Sequence, residues 1–258
     1  MDEAPFSAPK PVGMLKDFIL RFVSDGDIVL DFFSGSATTA HAVYEANASG
    51  NAKNIKYILV QIAEDLDESL KHAQKDAVRT LEVGIEYLDK VNLPHTICEI
   101  GKERIRRAGK KIKEDSPLTT QDLDVGFRVL KCDTSNMKDV YYNPADYELD
   151  MFDQLTDNIK EDRTPEDLLF QVMLDLGILL SSKIEETTIG GCKVFNVADG
   201  FLYACFDNNI SDEVVTAIAK EQPYYTVFRD SGMASDSVLT NFDQIFASIS
   251  PSTVRKVL

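Results

Sequence analysis

The sequence predicts an α/β fold in two parts: a partial parallel sheet with its helices in front, followed by a smaller α/β domain. Three observations carry this. Two apolar runs, Ile28–Phe33 and Ile55–Ile62, flank a helix-like stretch from Thr38 to Ala48. Strand, helix, strand in that order is a βαβ unit, whose strands run parallel. The composition turns polar and acidic near Asn136, and beyond Arg163 the pattern reads αββαβαβ. The expected domains are therefore residues 1–135, a connector over 136–163, and a second domain over 164–258.

The front elements follow from spacing and punctuation. Val12, Leu15, Ile19 and Val23 recur at helical intervals behind Pro11, which suits a helix start. Ser24-Asp25-Gly26-Asp27 is a turn, and Ile28–Phe33 is expected as a buried strand. Ser49-Gly50-Asn51 stops the following helix, and Ile55–Ile62 gives the second buried strand. Helix-favouring acidic sequence runs from Glu64 to Lys90. Thr96–Lys113 is an amphipathic helix with Ile97, Ile100, Ile105, Ala108 and Ile112 on one face, weakened by Gly101 and Gly109. Gly126–Cys132 is expected as a strand.

In the back part, Thr164-Pro165-Glu166-Asp167 is a strong helix start, with a capping hydroxyl, a proline for the first turn and acids at the positive end of the dipole. That helix is expected to reach about Lys183. The run KVFNVADGFLYACF reads as two strands joined at Ala198-Asp199-Gly200. Ser211–Lys220 and Ser235–Ile249 are helices, while Tyr224–Phe228 and Thr253–Leu258 are strands. Tyr224, Tyr225 and Phe228 are assigned to a core strand.

Composition narrows the function. Of 258 residues, 44% are hydrophobic, enough for a core, and the formal net charge is -16. That charge opposes non-specific nucleic-acid binding by the surface as a whole but allows one local patch. The patch is KERIRRAGKKIK, where Arg104, Arg106, Arg107, Lys110 and Lys111 stand against Glu103. It is either a contact to DNA or a partner, or the solvated face of a helix. No apolar run is long enough to cross a membrane. The opening MDEAPFSAPKP has neither the basic nor the apolar region of a signal peptide. Cys98, Cys132, Cys192 and Cys205 form no CxxC, so they are expected as small core residues in a reducing, cytoplasmic setting. His72 and His95 have no spaced partners, no metal site is expected, and His41 reads as a packed or capping histidine.

The stretch DIVLDFFSGSATTAHAV carries the chemistry. In an open α/β sheet, ligands bind beyond the carboxyl ends of strands, where loops meet helix N-termini. Gly35 lets a backbone approach a ligand. Ser36, Thr38 and Thr39 open a helix whose free N–H groups attract a carboxylate or phosphate. Asp31 can accept from an ammonium or hydroxyl. A zwitterionic ligand such as a methionine-type sulfonium suits both features. The string is neither GxGxxG nor a Walker A loop. On these residues alone, a tight βα turn with no ligand is the alternative.

The same string, LDFFSGSATTAHAV, resembles the S-adenosylmethionine motif of amino-methyltransferases, written D-x-F-x-G-x-G-T. Asp31, Phe33, Gly35, Thr38 and Thr39 match, and Ala37 replaces the second glycine. Lys10, Pro11 and Leu15 are similar to the Lys-Pro-x-x-Leu segment that precedes the motif in the β-class order. The resemblance implies a Rossmann-like methyltransferase portion binding S-adenosylmethionine through Lys10, Pro11, Asp31, Phe32, Phe33, Gly35, Ser36, Thr38 and Thr39, with Gln61 or Glu64 at the ribose.

Together with ILVQ, EIGKERIRRAGKKI, GFRVLKCDTSNMKDV and KVFNVADGFLYACFD, these strings resemble the modification subunit of type III restriction–modification systems, an adenine-N6 DNA methyltransferase. That resemblance implies DNA, a second modification subunit and the restriction subunit as partners, and an assembly role for the back domain. The (Asp/Asn)-Pro-Pro-(Tyr/Phe) string of such enzymes does not occur; YNPADY at Tyr142–Tyr147 is the nearest and departs from it. The expectation is a C-terminal part of the subunit, with a cofactor loop but no catalytic residue and no turnover alone. The alternatives are an assembly module with a vestigial loop, and a different nucleotide-binding α/β enzyme.

Overall fold

The computed structural model describes residues 10–50, 54–138 and 158–258. The chain divides into two compact units, Met1–Leu130 and Lys131–Leu258. Of the expected connector 136–163, residues 139–157, with YNPADY among them, lie outside the described residues. Its flanks belong to the second unit: Met137 and Ile159 form an antiparallel bridge, and Ile159 is buried in that unit's core.

In the first unit, α1 (Val12–Phe22) begins after Pro11, whose extended backbone precedes the first turn. β1 (Ile28–Asp31) and β2 (Lys56–Leu59) pair in parallel, Ile28 opposite Lys56 and Asp31 opposite Leu59. Between them runs α2 (Thr38–Ala48). Asn47 closes the return: its side-chain amide donates to Ile55 O at 3.0 Å and accepts from Ile55 N at 3.1 Å. The acidic stretch makes two helices, α3 (Leu66–Lys71) and α4 (Lys75–Lys90), and α5 spans Ile97–Asp115.

The strands are not buried on both faces, as an unbroken apolar run leads one to expect. Along β1 and β2 exposure alternates. Val29, Tyr57 and Leu59 turn toward helices α1, α2 and α5, while Ile28 is 53% exposed and Leu30 58%. Ile58 and Val60 lie open in the same way. Side chains of adjacent strand residues point to opposite faces, so helices on one side leave the other bare. Being about half exposed, each such side chain forgoes on the order of 1 kcal/mol. Summed over the four, that is a few kcal/mol, a sizeable share of the net stability of a small domain.

Residues 126–132 form no strand. Among the described residues they join no named strand, and Val125 and Phe127 pack on the α2–α5 core. A strand needs a hydrogen-bonded neighbour, and among the described residues neither β1 nor β2 supplies one to this segment. Gly109 explains why the segment can lie so close to α5. A Cβ built there would fall 2.8 Å from Val125 Cβ. Tyr44 on α2 fixes the same place, donating to Val125 O at 2.9 Å with Tyr57 OH beside it at 2.9 Å. Burial pushes both tyrosine hydroxyls above their ordinary range.

The second unit completes its own sheet. α6 (Pro165–Asp175) opens with a full capping box between Thr164 and Asp167. It stops sooner than expected because Gly177 takes φ 68°, which ends the helix in a left-handed turn. The residues beyond include a strand that periodicity missed, β3 (Ile184–Ile189), turned into β4 (Cys192–Val197) by Gly190-Gly191 at φ 55° and 84°. The expected hairpin at Ala198–Gly200 joins β4 to β5 (Leu202–Cys205). α7 (Asp212–Lys220), β6 (Tyr225–Phe228), α8 (Asp236–Ile249) and β7 (Val254–Val257) follow. The order is β3-β4-β5-β6-β7, antiparallel in the first half and parallel in the second. Val194, Tyr203, Cys205 and Phe228 pack under α7 and α8; Phe195, Leu202, Ala204 and Val227 pack under α6. Both faces are covered.

Three residue assignments change. Cys192 and Cys205 are buried, and burial pushes the Cys205 thiol up to about 12, but Cys98 is half-buried and Cys132 exposed. Phe228 is core, whereas Tyr224 is exposed and stacks on Phe201 with ring centroids 5.1 Å apart. Its place at the strand's entry leaves it beyond the helices' cover. His95 is tied to two helices, with Nδ1 2.9 Å from Asp67 and Nε2 3.0 Å from Asp89.

Two outcomes follow. Gly109→Ala should lower the unfolding free energy of the first unit by roughly 1–3 kcal/mol, since Val125 must shift; urea unfolding followed by circular dichroism measures it. The two aspartates hold the His95 imidazolium above its ordinary value. A raised pKa gives stability fully present below the ordinary 6.5 and lost as pH rises through the raised value. The melting temperature of the first unit should fall across that window, and His95→Gln should flatten the dependence.

Candidate methyl-donor site

The site is the turn between β1 and α2. Asp31 ends β1 with both carboxylate oxygens engaged: Oδ2 accepts from Thr39 Oγ1 at 2.6 Å and Oδ1 from Phe33 N at 3.2 Å. The first bond ties the strand end to the first turn of α2, the second shapes the turn. Val60 N donates to Asp31 O at 2.8 Å, and Ser34 N donates to Val60 O at 3.3 Å, so the ladder continues past both strands into the turn. Gly35 takes φ 48° and Ala37 φ 59°. Ala37 stands where the resemblance puts glycine, and its left-handed backbone shows why glycine suits that place. As the N-cap of α2, Ala37 offers no side-chain acceptor, so the first N–H groups of the helix have no side-chain cap.

Gln61 braces the turn. Its Oε1 accepts from Gly35 N at 2.7 Å and its Nε2 donates to Ile62 O at 3.1 Å. Both ends of the amide are engaged in the turn, and the Oε1 oxygen keeps one further lone pair. Glu64 is exposed, and its Oε1 accepts from Ser69 Oγ at 2.7 Å, leaving the second oxygen outward. Phe32 and Phe33 lie open at 61% and 78% exposure, rings 5.2 Å apart. Lys10 and Pro11 are exposed at the start of α1, which packs on α2 through Val12, Leu15 and Ile19.

The basic stretch divides. Arg104 turns inward, its Nη1 donating to Ser36 Oγ at 2.9 Å and to Thr38 Oγ1 at 2.7 Å, both hydroxyls on nearly buried residues. The expected outward contact to DNA or a partner does not describe that geometry. Arg107 joins Glu103 at 2.8 Å and Tyr87 OH at 2.7 Å, stacking on the Tyr87 ring and so tying α5 to α4. Arg106 lies 3.6 Å from Glu103 and over the Phe127 ring, and Lys110 lies 3.7 Å from Glu114. Lys111 is exposed. Much of the positive charge is therefore matched on its own helix.

Asp31, Gly35, Ser36, Thr38, Thr39 and Gln61 thus form one bonded cluster, while Lys10, Pro11 and Glu64 stand outside it. Arg104 joins it unexpectedly. The signal was present: Gly101, Ile105 and Ala108 form a buried stripe of α5, and Arg104 lies one turn from Gly101 at its edge. Among the described residues no group of histidine, cysteine and carboxylate side chains could hold a metal, and no helix is long and apolar enough to cross a membrane. His41 is partly buried with Nε2 3.4 Å from Glu45, and burial holds its imidazole below the ordinary value.

Residues 2–86, which contain the turn, match the DNA methylase family. Over 226 residues, 84% of this chain, the sequence is 30% identical to the Type III restriction-modification enzyme EcoP15I Mod subunit of Escherichia coli. The chain is similar to type III Mod subunits over most of its length. It is also 36% identical over 123 residues, 48% of its length, to the StyLTI Mod subunit of Salmonella typhimurium. The chain spans 29% of the first relative and 16% of the second.

The bracing role of Gln61 has a measurable consequence. Gln61→Ala leaves the part-buried Gly35 N–H without its acceptor, a cost of roughly 1–3 kcal/mol. Amide hydrogen exchange at residues 34–37 should accelerate about tenfold or more, with exchange in the second unit unchanged.

Proposed function

We propose that this chain forms the methyl-donor-binding part of a site-specific DNA adenine-N6 methyltransferase, the modification subunit of a type III restriction–modification system. The observation that carries the reading is the β1–α2 turn. A carboxylate at a strand end and an uncapped helix start lie within one bonded turn, inside the segment that matches the DNA methylase family. S-adenosylmethionine fits that donor set, since it brings an ammonium, a carboxylate and ribose hydroxyls together. When bound, it supplies an activated methyl group on a sulfonium.

The chain's own residues then bind and orient. Asp31, aimed by Thr39, accepts from the ammonium. The first N–H groups of α2 receive the carboxylate. An acceptor just past β2, the outward oxygen of Glu64 or the remaining lone pair of Gln61 Oε1, serves a ribose hydroxyl. Phe32 and Phe33 give apolar cover. Lys10 and Pro11 approach from the start of α1. The adenine-binding (Asp/Asn)-Pro-Pro-(Tyr/Phe) loop, absent from these 258 residues, comes in this reading from other polypeptide of the subunit. DNA, a second modification subunit and the restriction subunit are then the partners of the whole protein, with the second unit serving assembly. Arg106, Lys110 and Lys111 are the outward cations left to meet phosphates.

Isothermal titration of the 258-residue chain with S-adenosylmethionine tests the reading. Saturable heat is expected, with Asp31→Ala weakening binding about ten- to hundredfold, as losing a charge-assisted hydrogen bond does. No binding by the unaltered chain would overturn the donor site in favour of an assembly module with a vestigial loop. Methyl transfer to duplex DNA by the chain alone should stay at background.

A further inference from the structure

Arg104 occupies an unusual position for a cation. Helix N-termini carry positive partial charge, so a guanidinium beside one is disfavoured unless something holds it there. Arg104 nevertheless lies at the start of α2, and among the described residues no carboxylate is within ion-pair distance of it. Burial lowers its pKa without a compensating partner. What holds it is geometric. One nitrogen reaches Ser36 Oγ and Thr38 Oγ1, the two hydroxyls flanking left-handed Ala37. One helical turn earlier on the same face, Gly101 brings α5 against the turn: a Cβ there would lie 3.3 Å from Gly35 O and 3.5 Å from Ala37 Cβ. Gly101 permits the approach and Arg104 uses it.

We infer that Arg104 is a positioning residue for the methyl-donor turn, acting through Ser36 and Thr38 rather than by contact with the donor's reacting atoms. It locks the residues on either side of Ala37, so the strained backbone that aims the first N–H groups of α2 is preset before a ligand arrives. The turn is then held from two directions: Gln61 holds Gly35 from β2, and Arg104 holds Ser36 and Thr38 from α5. The inference takes the donor site from the proposed function, but the bracing itself does not require a ligand. Preset geometry lowers the ordering cost of binding, so its loss appears as weakened affinity.

The test uses the 258-residue chain and the variants Arg104→Met, Arg104→Lys, and Ser36→Ala/Thr38→Ala. The double alanine keeps the guanidinium but removes both acceptors, so it still reads out if Arg104→Met does not fold. Three quantities are measured: S-adenosylmethionine affinity by titration calorimetry, amide exchange at residues 34–40, and melting temperature. Arg104→Met should weaken affinity roughly tenfold or more and speed exchange across 34–40 in the ligand-free chain. Arg104→Lys should recover most of the affinity, since an ammonium can still donate to both hydroxyls. Adding Arg104→Met to the double alanine should cost no further affinity, because the two changes break the same link. Wild-type affinity and exchange in Arg104→Met would overturn the inference. So would affinity losses that simply add in the triple variant. If the unaltered chain binds no S-adenosylmethionine yet Arg104→Met still loosens residues 34–40, the donor reading falls while the bracing role stands.

Discussion

The front unit depends on a two-stranded parallel ladder with helices on one side. Four residues of β1 face four of β2, and the backbone bonds run on to Val60 and Ser34 beyond the strand ends. That continuation puts Asp31 beside Thr39 and Gln61 beside Gly35. The turn's shape is therefore an extension of the sheet, and what stabilises the ladder also shapes the site. Apolar burial under α1, α2 and α5 stabilises it on one face only, through Val43, Ala42 and Ile19 on one flank and Ala40, Tyr44 and Ile105 on the other. Ile28, Leu30, Ile58 and Val60 on the opposite face stay about half exposed and contribute less within the described residues.

α5 is the second support, and its composition has two layers of meaning. Read as a propensity, Gly101 and Gly109 are defects, each costing about 1 kcal/mol against alanine. In place, each marks a contact that a methyl group would disturb, Gly101 against the β1–α2 turn and Gly109 against Val125. The positive charges on this helix likewise do separate jobs. Arg107 bridges to α4 through Tyr87, Arg106 covers Phe127, and Arg104 reaches α2. A single basic string in the sequence resolves into three different attachments.

Much of this was legible before any coordinates. The βαβ order, the parallel pairing, the Thr164 cap, the Ala198–Gly200 hairpin and the clustering of Asp31, Gly35, Thr38 and Thr39 all follow from local rules of spacing, capping and turn chemistry. The misses share a cause. Apolar runs 28–33 and 55–62 carry no mark of which face lacks a cover, because burial is a property of neighbours. Residues 126–132 have strand-like content but join no named strand among the described residues. β3 lies just past the expected helix and goes unassigned, because Glu185, Glu186, Thr187 and Thr188 lie at an exposed sheet edge and carry no apolar alternation, so only Gly177 and Gly190-Gly191 punctuate it. Arg104 was read by its charge when its reach across a glycine notch decided its partner.

The back sheet has a kinetic corollary. Its first three strands are joined by the tight Gly190-Gly191 and Ala198–Gly200 turns, so their pairing needs only short loop closures. β6 and β7 join through helical crossovers, which demand closure over much longer spans. Rate follows contact locality, so the antiparallel meander can zip up as an early template on which the two later strands dock with α7 and α8. Among its described residues the first unit shows no such hairpin, and the β1–β2 ladder closes around α2, so its assembly waits on a more distant pairing.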